Sequence, residues 1–141
     1  MADYWLNKSD INLDAAEKLK NPPNSHHAPS ISCSYYACYL KLSHSLYVVL
    51  GYTEGKFNIE YNNFRGRSGG AGSHEFMIHL IYTEIASKDK KDAGDFKNEI
   101  LALKRLRTIA DYKNEWQQKD SSDLAFNKAQ SVIKVLKRRN L

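Results

Sequence analysis

The sequence contains few cysteines, few prolines and no long apolar run. Two of its 141 residues are cysteine and three are proline. Cys33 and Cys38 do not form a C-x-x-C pair and no other cysteine can complete a zinc site, so neither a metal nor a cofactor is predicted. No stretch approaches the roughly 20 apolar residues of a membrane span, and the first residues lack the apolar core of a signal peptide. We therefore expect a cytoplasmic protein without membrane contact.

Acidic residues are absent from residues 124–141. This segment carries five positive charges, equal to the net charge of +5 for the whole chain, at Lys128, Lys134, Lys137, Arg138 and Arg139. Such a segment indicates an anionic partner such as RNA. Basic residues at the C-terminal end of a helix also complement the helix dipole. The sequence leaves both interpretations open.

The composition and the spacing of apolar residues predict a single all-α domain over residues 1–141. Hydrophobic residues make up 42% of the chain and charged residues 26%, values that are ordinary for a globular protein. Alternation typical of a strand occurs only in "FNIEY" (57–61), and a lone strand has no partner. The remaining apolar residues recur at helical spacing. We predict an up-and-down bundle of four main helices plus a shorter one.

Caps and breakers set the predicted helix limits. Ser9 is the predicted N-cap of the first helix, which the prolines of residues 21–24 end. The second helix is expected to start near Ser30 or Ser32 and to end at Leu50, with Gly51 as its C′ residue. Residues 51–72 form a long connection, and the later helices begin near residues 73, 96 and 121, the fourth running over 96–115.

A glycine-rich segment, "FRGRSGGAGSHEF" (64–76), precedes the third predicted helix. A glycine loop that leads into a helix can hold a phosphate on free backbone N–H groups. The segment lacks the pattern of a P-loop and no strand precedes it, so a mobile loop is the better interpretation. Arg65, Arg67 and His74 are the candidate ligand-binding residues of this region.

The stretch "LKRLRTIADYKNE" (103–115) places Arg107 and Asp111 four residues apart, on one face of a helix and at the edge of its apolar stripe. One interpretation is a half-buried brace that anchors another helix or a second copy of the chain. The other is that Arg107 binds phosphate and Asp111 orients it, with Tyr112 and Lys113 as further binding residues. The sequence does not decide between the brace and the ligand site.

Four segments together resemble the HEPN family, small helical domains named for higher eukaryotes and prokaryotes nucleotide-binding. "YWLNKSDINLDAAEKL" (4–19) is similar to the first helix of that family, and "SYYACYLKLSHSLYVVLGY" (34–52) to the second. "LRTIADY" (106–112) resembles the Leu-Arg-x-x-Ala-Asp-Tyr signature of one bacterial branch, and "SHEF" (73–76) its Ser/Thr-His pair. The matches occur in the order expected for that branch.

The resemblance implies a homodimer with a cleft between the copies, and often an RNase toxin paired with a small nucleotidyltransferase. The family's catalytic arginine corresponds to Arg105, but its histidine falls on Ala110, and residues 96–141 contain no histidine. We therefore expect a dimeric module without the usual RNase site that acts with a partner protein or binds RNA or nucleotide. The alternative is a metal-independent RNase that uses Arg105, Arg107 and Asp111 with a histidine from another helix: His44, His74 or His79.

Overall fold

The computed structural model describes residues 3–67, 72–112 and 119–141, and all regular secondary structure in them is helical. They form six α-helices: α1 (Tyr4–Lys20), α2 (His27–His44), α3 (Glu54–Arg67), α4 (Ser73–Ala86), α5 (Lys90–Tyr112) and α6 (Lys119–Arg138). The predicted all-α class is confirmed. The helix number differs from the predicted five, because the expected connection contains α3. None of the helices described has the length and apolar character needed to cross a membrane.

Helix α2 is the centre of the bundle and contacts α1, α4, α5 and α6. Its inward side carries Ile31, Tyr35, Cys38 and Leu42, all of which are buried. The facing helices supply fully buried side chains to the same core: Ile81, Ile85, Phe96, Ile100, Leu103, Val132 and Leu136. This core fixes the position of α5 against α2, where the candidate site lies.

Two buried serines join α1 to α2. The hydroxyl of Ser9 donates to the carbonyl of Ala37 at 2.6 Å, and the hydroxyl of Ser30 donates to the carbonyl of Ala16 at 2.6 Å. Small residues at these positions allow close approach of the two helices. The predicted N-cap role of Ser9 is therefore wrong, because α1 begins five residues earlier, at Tyr4.

Helix α2 begins earlier than predicted and ends as predicted. Pro29 lies in its first turn, where a missing N–H costs little because those N–H groups have no helical partner. At the other end a π-helical turn (Ser45–Val49) continues the helix. Gly51 then adopts a φ of 72°, the left-handed conformation that favours glycine. The expectation that Gly51 closes this helix is confirmed.

Helix α3 occupies the segment that was predicted to be a connection. The hydroxyl of Thr53 accepts a hydrogen bond from the backbone N–H of Lys56, and Glu54 adds a negative charge in the first turn. Its apolar side consists of Phe57, Tyr61 and Phe64, at positions i, i+4 and i+7. Ile59 points away and is 66% exposed, so the strand-like alternation of residues 57–61 does not describe the fold.

Helix α5 starts six residues before the predicted start because Asp89 caps it. The Asp89 carboxylate accepts from the backbone N–H of Asp92 at 2.9 Å. The Asp92 carboxylate accepts from Arg138 at 2.8 Å and from Arg139 at 2.6 Å. Two arginines of the basic segment therefore fasten the end of α6 to the start of α5, which favours the structural interpretation of those two residues.

Asp92→Asn should lower the melting temperature at pH 7, because it weakens the contacts with Arg138 and Arg139. Asp14→Asn, which alters an exposed pair with Lys18, is the control and should lower it less. The hydrogen bond from Arg138, with that from Arg139, lowers the pKa of Asp92 from its ordinary value of 3.8, against the opposing effect of desolvation. A lowered folded-state pKa gives stability that is present above 3.8 and lost as the pH falls below it. Thermal melts should therefore show the difference between parent and Asp92→Asn shrinking below pH 3.8. A difference that stays constant from pH 7 to pH 3 would contradict this.

Candidate functional site

The guanidinium of Arg107 lies among three tyrosine rings. Its Cζ atom is 5.3 Å from the ring centroid of Tyr35 and 5.4 Å from those of Tyr36 and Tyr112. Its Nη2 atom donates to the hydroxyl of Tyr36 at 2.9 Å and lies 3.4 Å from that of Tyr112. Cation–π contacts of this kind are attractive and hold the guanidinium in place. We call the set Arg107, Asp111, Tyr35, Tyr36 and Tyr112 the arginine cluster.

Asp111 joins the arginine cluster to the start of α2. Its Oδ2 atom lies 2.8 Å from Nε of Arg107, and its Oδ1 atom accepts a short hydrogen bond from the hydroxyl of Ser32. Arg107 and Asp111 form an ion pair, but the N–H of Nε does not point at the carboxylate well enough to make a hydrogen bond. Through Ser32 and Tyr36 the pair contacts α2, which is the arrangement that the brace interpretation requires.

The members of the arginine cluster range from buried (Tyr35) to exposed (Tyr36 and Tyr112). The side chain of Arg107 is 14% exposed and that of Asp111 25%, whereas Tyr112 as a residue is 69% exposed. The Nη1 atom of Arg107 has no hydrogen-bond acceptor among the described residues, and it is not buried. Among the described residues, the two N–H groups of Nη1 thus have no acceptor.

His74, in the first turn of α4, extends the arginine cluster inward. Its Nδ1 atom is hydrogen-bonded to the hydroxyl of Tyr35 at 2.8 Å, and its ring lies 4.2 Å from that of Tyr39, centroid to centroid. Burial lowers the pKa of His74, and the positive charges of Lys104 and Arg107 lower it further. These effects favour the neutral imidazole, and His74 is linked to Arg107 through Tyr35.

The pH titration of His74 provides a direct test of this environment. Its ring signals in NMR spectra should titrate with a midpoint below the ordinary 6.5. Lys104→Met should raise that midpoint, because the lysine charge opposes protonation. Arg67→Met, a change on another helix, is the control and should leave it in place. A parent midpoint at or above 6.5 would contradict the described environment.

The other predicted site residues lie elsewhere. Arg105 is exposed and lines a shallow cavity with Leu101, Thr108 and Ile109. Arg65 and Arg67 are exposed on the last turn of α3, where Arg67 donates to the carbonyl of Asn63. None of these three arginines contacts the described residues of the arginine cluster.

Two of the predictions concern residues outside the described ranges. One is that Lys113 binds a ligand, and the other is that the glycine-rich segment, whose residues 68–71 are not described, is a mobile loop. Gly66, by contrast, belongs to α3. The predicted mobile loop and the role of Lys113 therefore stay predictions.

Of the three candidate histidines, His74 alone contacts the described arginine cluster. His79 is exposed and stacks on Phe64 at a centroid distance of 5.0 Å. His44 is half-buried at the end of α2, and burial, with the charge of Lys41, lowers its pKa.

Four members of the site were not named as site residues by the sequence analysis. They are Ser32, Tyr35, Tyr36 and Tyr39, all on α2. A signal was present, because "SYYACY" (34–39) contains three tyrosines in six residues. The sequence does not show how α2 and α5 cross. This crossing brings together Tyr36 and Arg107, which are 71 residues apart in the chain.

The described ranges contain no group of three His, Cys, Asp or Glu side chains arranged to hold a metal ion. Comparison with known proteins found no matching family model, no similar curated protein and no similar solved structure. The function is therefore argued from the arginine cluster itself.

Proposed function

We propose that the protein is a HEPN-like dimeric module that binds RNA or a nucleotide through the phosphate at Arg107. The observation that carries the proposal is the arginine cluster. Two segments that suggested the family resemblance supply its members: "SYYA" from α2 and "LRTIADY" from α5; a third, "SHEF" from α4, supplies His74, which is hydrogen-bonded to Tyr35. Residues distant in sequence thus surround one guanidinium, whose Nη1 has no acceptor among the described residues.

The chemistry of the cluster suits a phosphate next to a base. Arginine presents its N–H groups in a planar fork that matches phosphate oxygens. The ring of Tyr112 contacts the guanidinium of Arg107. This ring is largely exposed and offers a stacking surface to an unpaired base. Asp111 compensates part of the arginine charge, so we expect moderate rather than tight affinity.

We further propose that two copies associate and that the cluster faces the cleft between them. Large apolar side chains remain exposed on several helices, among them Ile11, Val48 and Leu124, each at least 39% exposed. Sedimentation should give a dimer at tens of micromolar, where stable homodimers persist. A monomer throughout that range would remove the dimer from the proposal. A small nucleotidyltransferase is the partner protein that the family resemblance suggests.

The test uses purified protein and fluorescein-labelled RNA of mixed sequence. Anisotropy should report saturable binding, and gels of the same samples should show intact RNA both with and without EDTA. Binding without cleavage is the result expected of the module. No binding at any protein concentration up to hundreds of micromolar would reject it.

The alternative function is metal-independent RNA cleavage, and the position of His74 favours it. When Nδ1–H of His74 donates to Tyr35, the Nε2 lone pair is free to accept a proton at neutral pH. Cleavage that persists in EDTA and disappears in His74→Gln, but not in His79→Gln, would replace the binding module with this enzyme.

A further inference from the structure

We propose that a pocket between α1, the π-helical turn and α3 binds a small organic ammonium ion. Four aromatic side chains line it: Trp5, Tyr47, Phe57 and Tyr61. Its volume is about 550 Å³, within the usual range for small-molecule sites. This aromatic pocket is separate from the arginine cluster and independent of the proposed function.

The rings of the aromatic pocket form a continuous wall. Trp5 lies 6.0 Å from Tyr47, Tyr47 lies 6.2 Å from Phe57, and Phe57 lies 6.1 Å from Tyr61, measured between centroids. Phe57 belongs to the core, whereas Trp5, Tyr47 and Tyr61 are half-buried. Aromatic faces carry partial negative charge and attract cations, with tryptophan the strongest.

The charge of the aromatic pocket has the sign that an ammonium ion requires. Glu54 is its one charged side chain among the described residues, and the remaining lining groups are neutral. Glu54 lies close enough to the Tyr47 phenol to add, after burial and Tyr39, to the raised pKa of Tyr47.

Nearby lysines already make the same kind of contact on adjacent rings. The ammonium of Lys8 lies 5.0 Å from the ring centroid of Tyr4, and that of Lys56 lies 4.3 Å from that of Tyr52. Neither ring lines the aromatic pocket, so these two lysines make their contacts outside it.

The backbone supplies a second reason to regard the aromatic pocket as a site. Tyr47 lies within the π-helical turn Ser45–Val49, where the amide of Leu50 donates to the carbonyl of Ser45. π-Helical turns are rare and occur often at functional sites. The ring of Tyr47, which the turn carries, contacts both Trp5 and Phe57.

The experiment uses choline chloride and its uncharged isostere 3,3-dimethyl-1-butanol, at constant ionic strength. Trp116→Phe leaves Trp5 as the sole tryptophan, because the chain has two, so fluorescence then reports on the pocket. We expect saturable quenching by choline and an affinity for the alcohol at least about fivefold weaker, as a cation–π and carboxylate contribution implies.

Two variants locate the binding. Glu54→Gln should weaken choline about threefold and leave the alcohol unchanged, whereas Glu17→Gln, an exposed acid elsewhere, should change neither. Trp5→Leu should abolish binding. Because this variant lacks the fluorescent reporter, binding is measured by the broadening of the choline methyl signal in NMR spectra, which should disappear. Linear quenching without saturation, equal affinity for the two probes, or equal behaviour of the Glu54 and Glu17 variants would overturn the proposal.

Discussion

Asp111→Ala should lower the free energy of unfolding by about 1–3 kcal/mol, because it leaves a half-buried arginine without its partner. The change removes the ion pair with Arg107 and the acceptor for the Ser32 hydroxyl together. The ion pair lies within α5 and holds Asp111 in place, whereas the Ser32 hydrogen bond joins α5 to α2. Urea denaturation followed by circular dichroism measures the difference.

The double variant Arg107→Leu with Asp111→Leu isolates the cost of the unpaired charge. It should recover much of the loss, because two apolar side chains fit the edge of the stripe and leave no buried charge unpaired. Lys18→Ala, which breaks an exposed pair with Asp14, is the control and should unfold at nearly the same urea concentration as the parent. An Asp111→Ala protein that unfolds like the parent would show that the pair is not a brace.

Arg107→Lys should weaken RNA binding by about 10- to 100-fold. Hydrogen bonds to charged groups contribute about 1.5–3 kcal/mol, and each 1.4 kcal/mol corresponds to a factor of ten in affinity. Lysine keeps the charge but lacks the planar fork that reaches Tyr36, Tyr112 and a phosphate at the same time.

Arg105→Lys is the matched control for this change. It lies two residues away on the same helix, is exposed, and lines a different cavity. Anisotropy titrations with one labelled RNA should leave this variant within about twofold of the parent. Equal losses for the two arginines would mean that charge alone, rather than the arginine cluster, governs binding.

Local signals predicted the helices that carry strong caps or a wide apolar face. Ser73 marked the start of α4 correctly, and Gly51 marked the end of the helix that contains Tyr35. Helix α3 was missed because its glycines and polar residues suggested a connection, although Phe57, Tyr61 and Phe64 have helical spacing. A weakly amphipathic helix that packs mainly through aromatic rings gives little periodic signal.

The candidate site was predictable only in part. The spacing of Arg107 and Asp111 predicted that they share a helix face. Their partners on α2, Tyr36 and Ser32, could not be predicted from the sequence near the pair. Which residues of α2 meet α5 depends on how two helices cross, and this follows from the packing of the whole core. The same reason explains why His74 could be proposed but not chosen over His44 and His79.

The most direct test of the phosphate site at Arg107 is NMR spectroscopy of protein with ¹⁵N-labelled arginine. A 5′-phosphorylated trinucleotide RNA is titrated while the side-chain Nε–Hε signals are followed. We predict that the Arg107 signal shifts with saturation, while the signals of Arg138 and Arg139, held by Asp92, remain in place. An unmoved Arg107 signal, with shifts confined to the arginines of α6, would contradict the account and place the ligand on the basic segment.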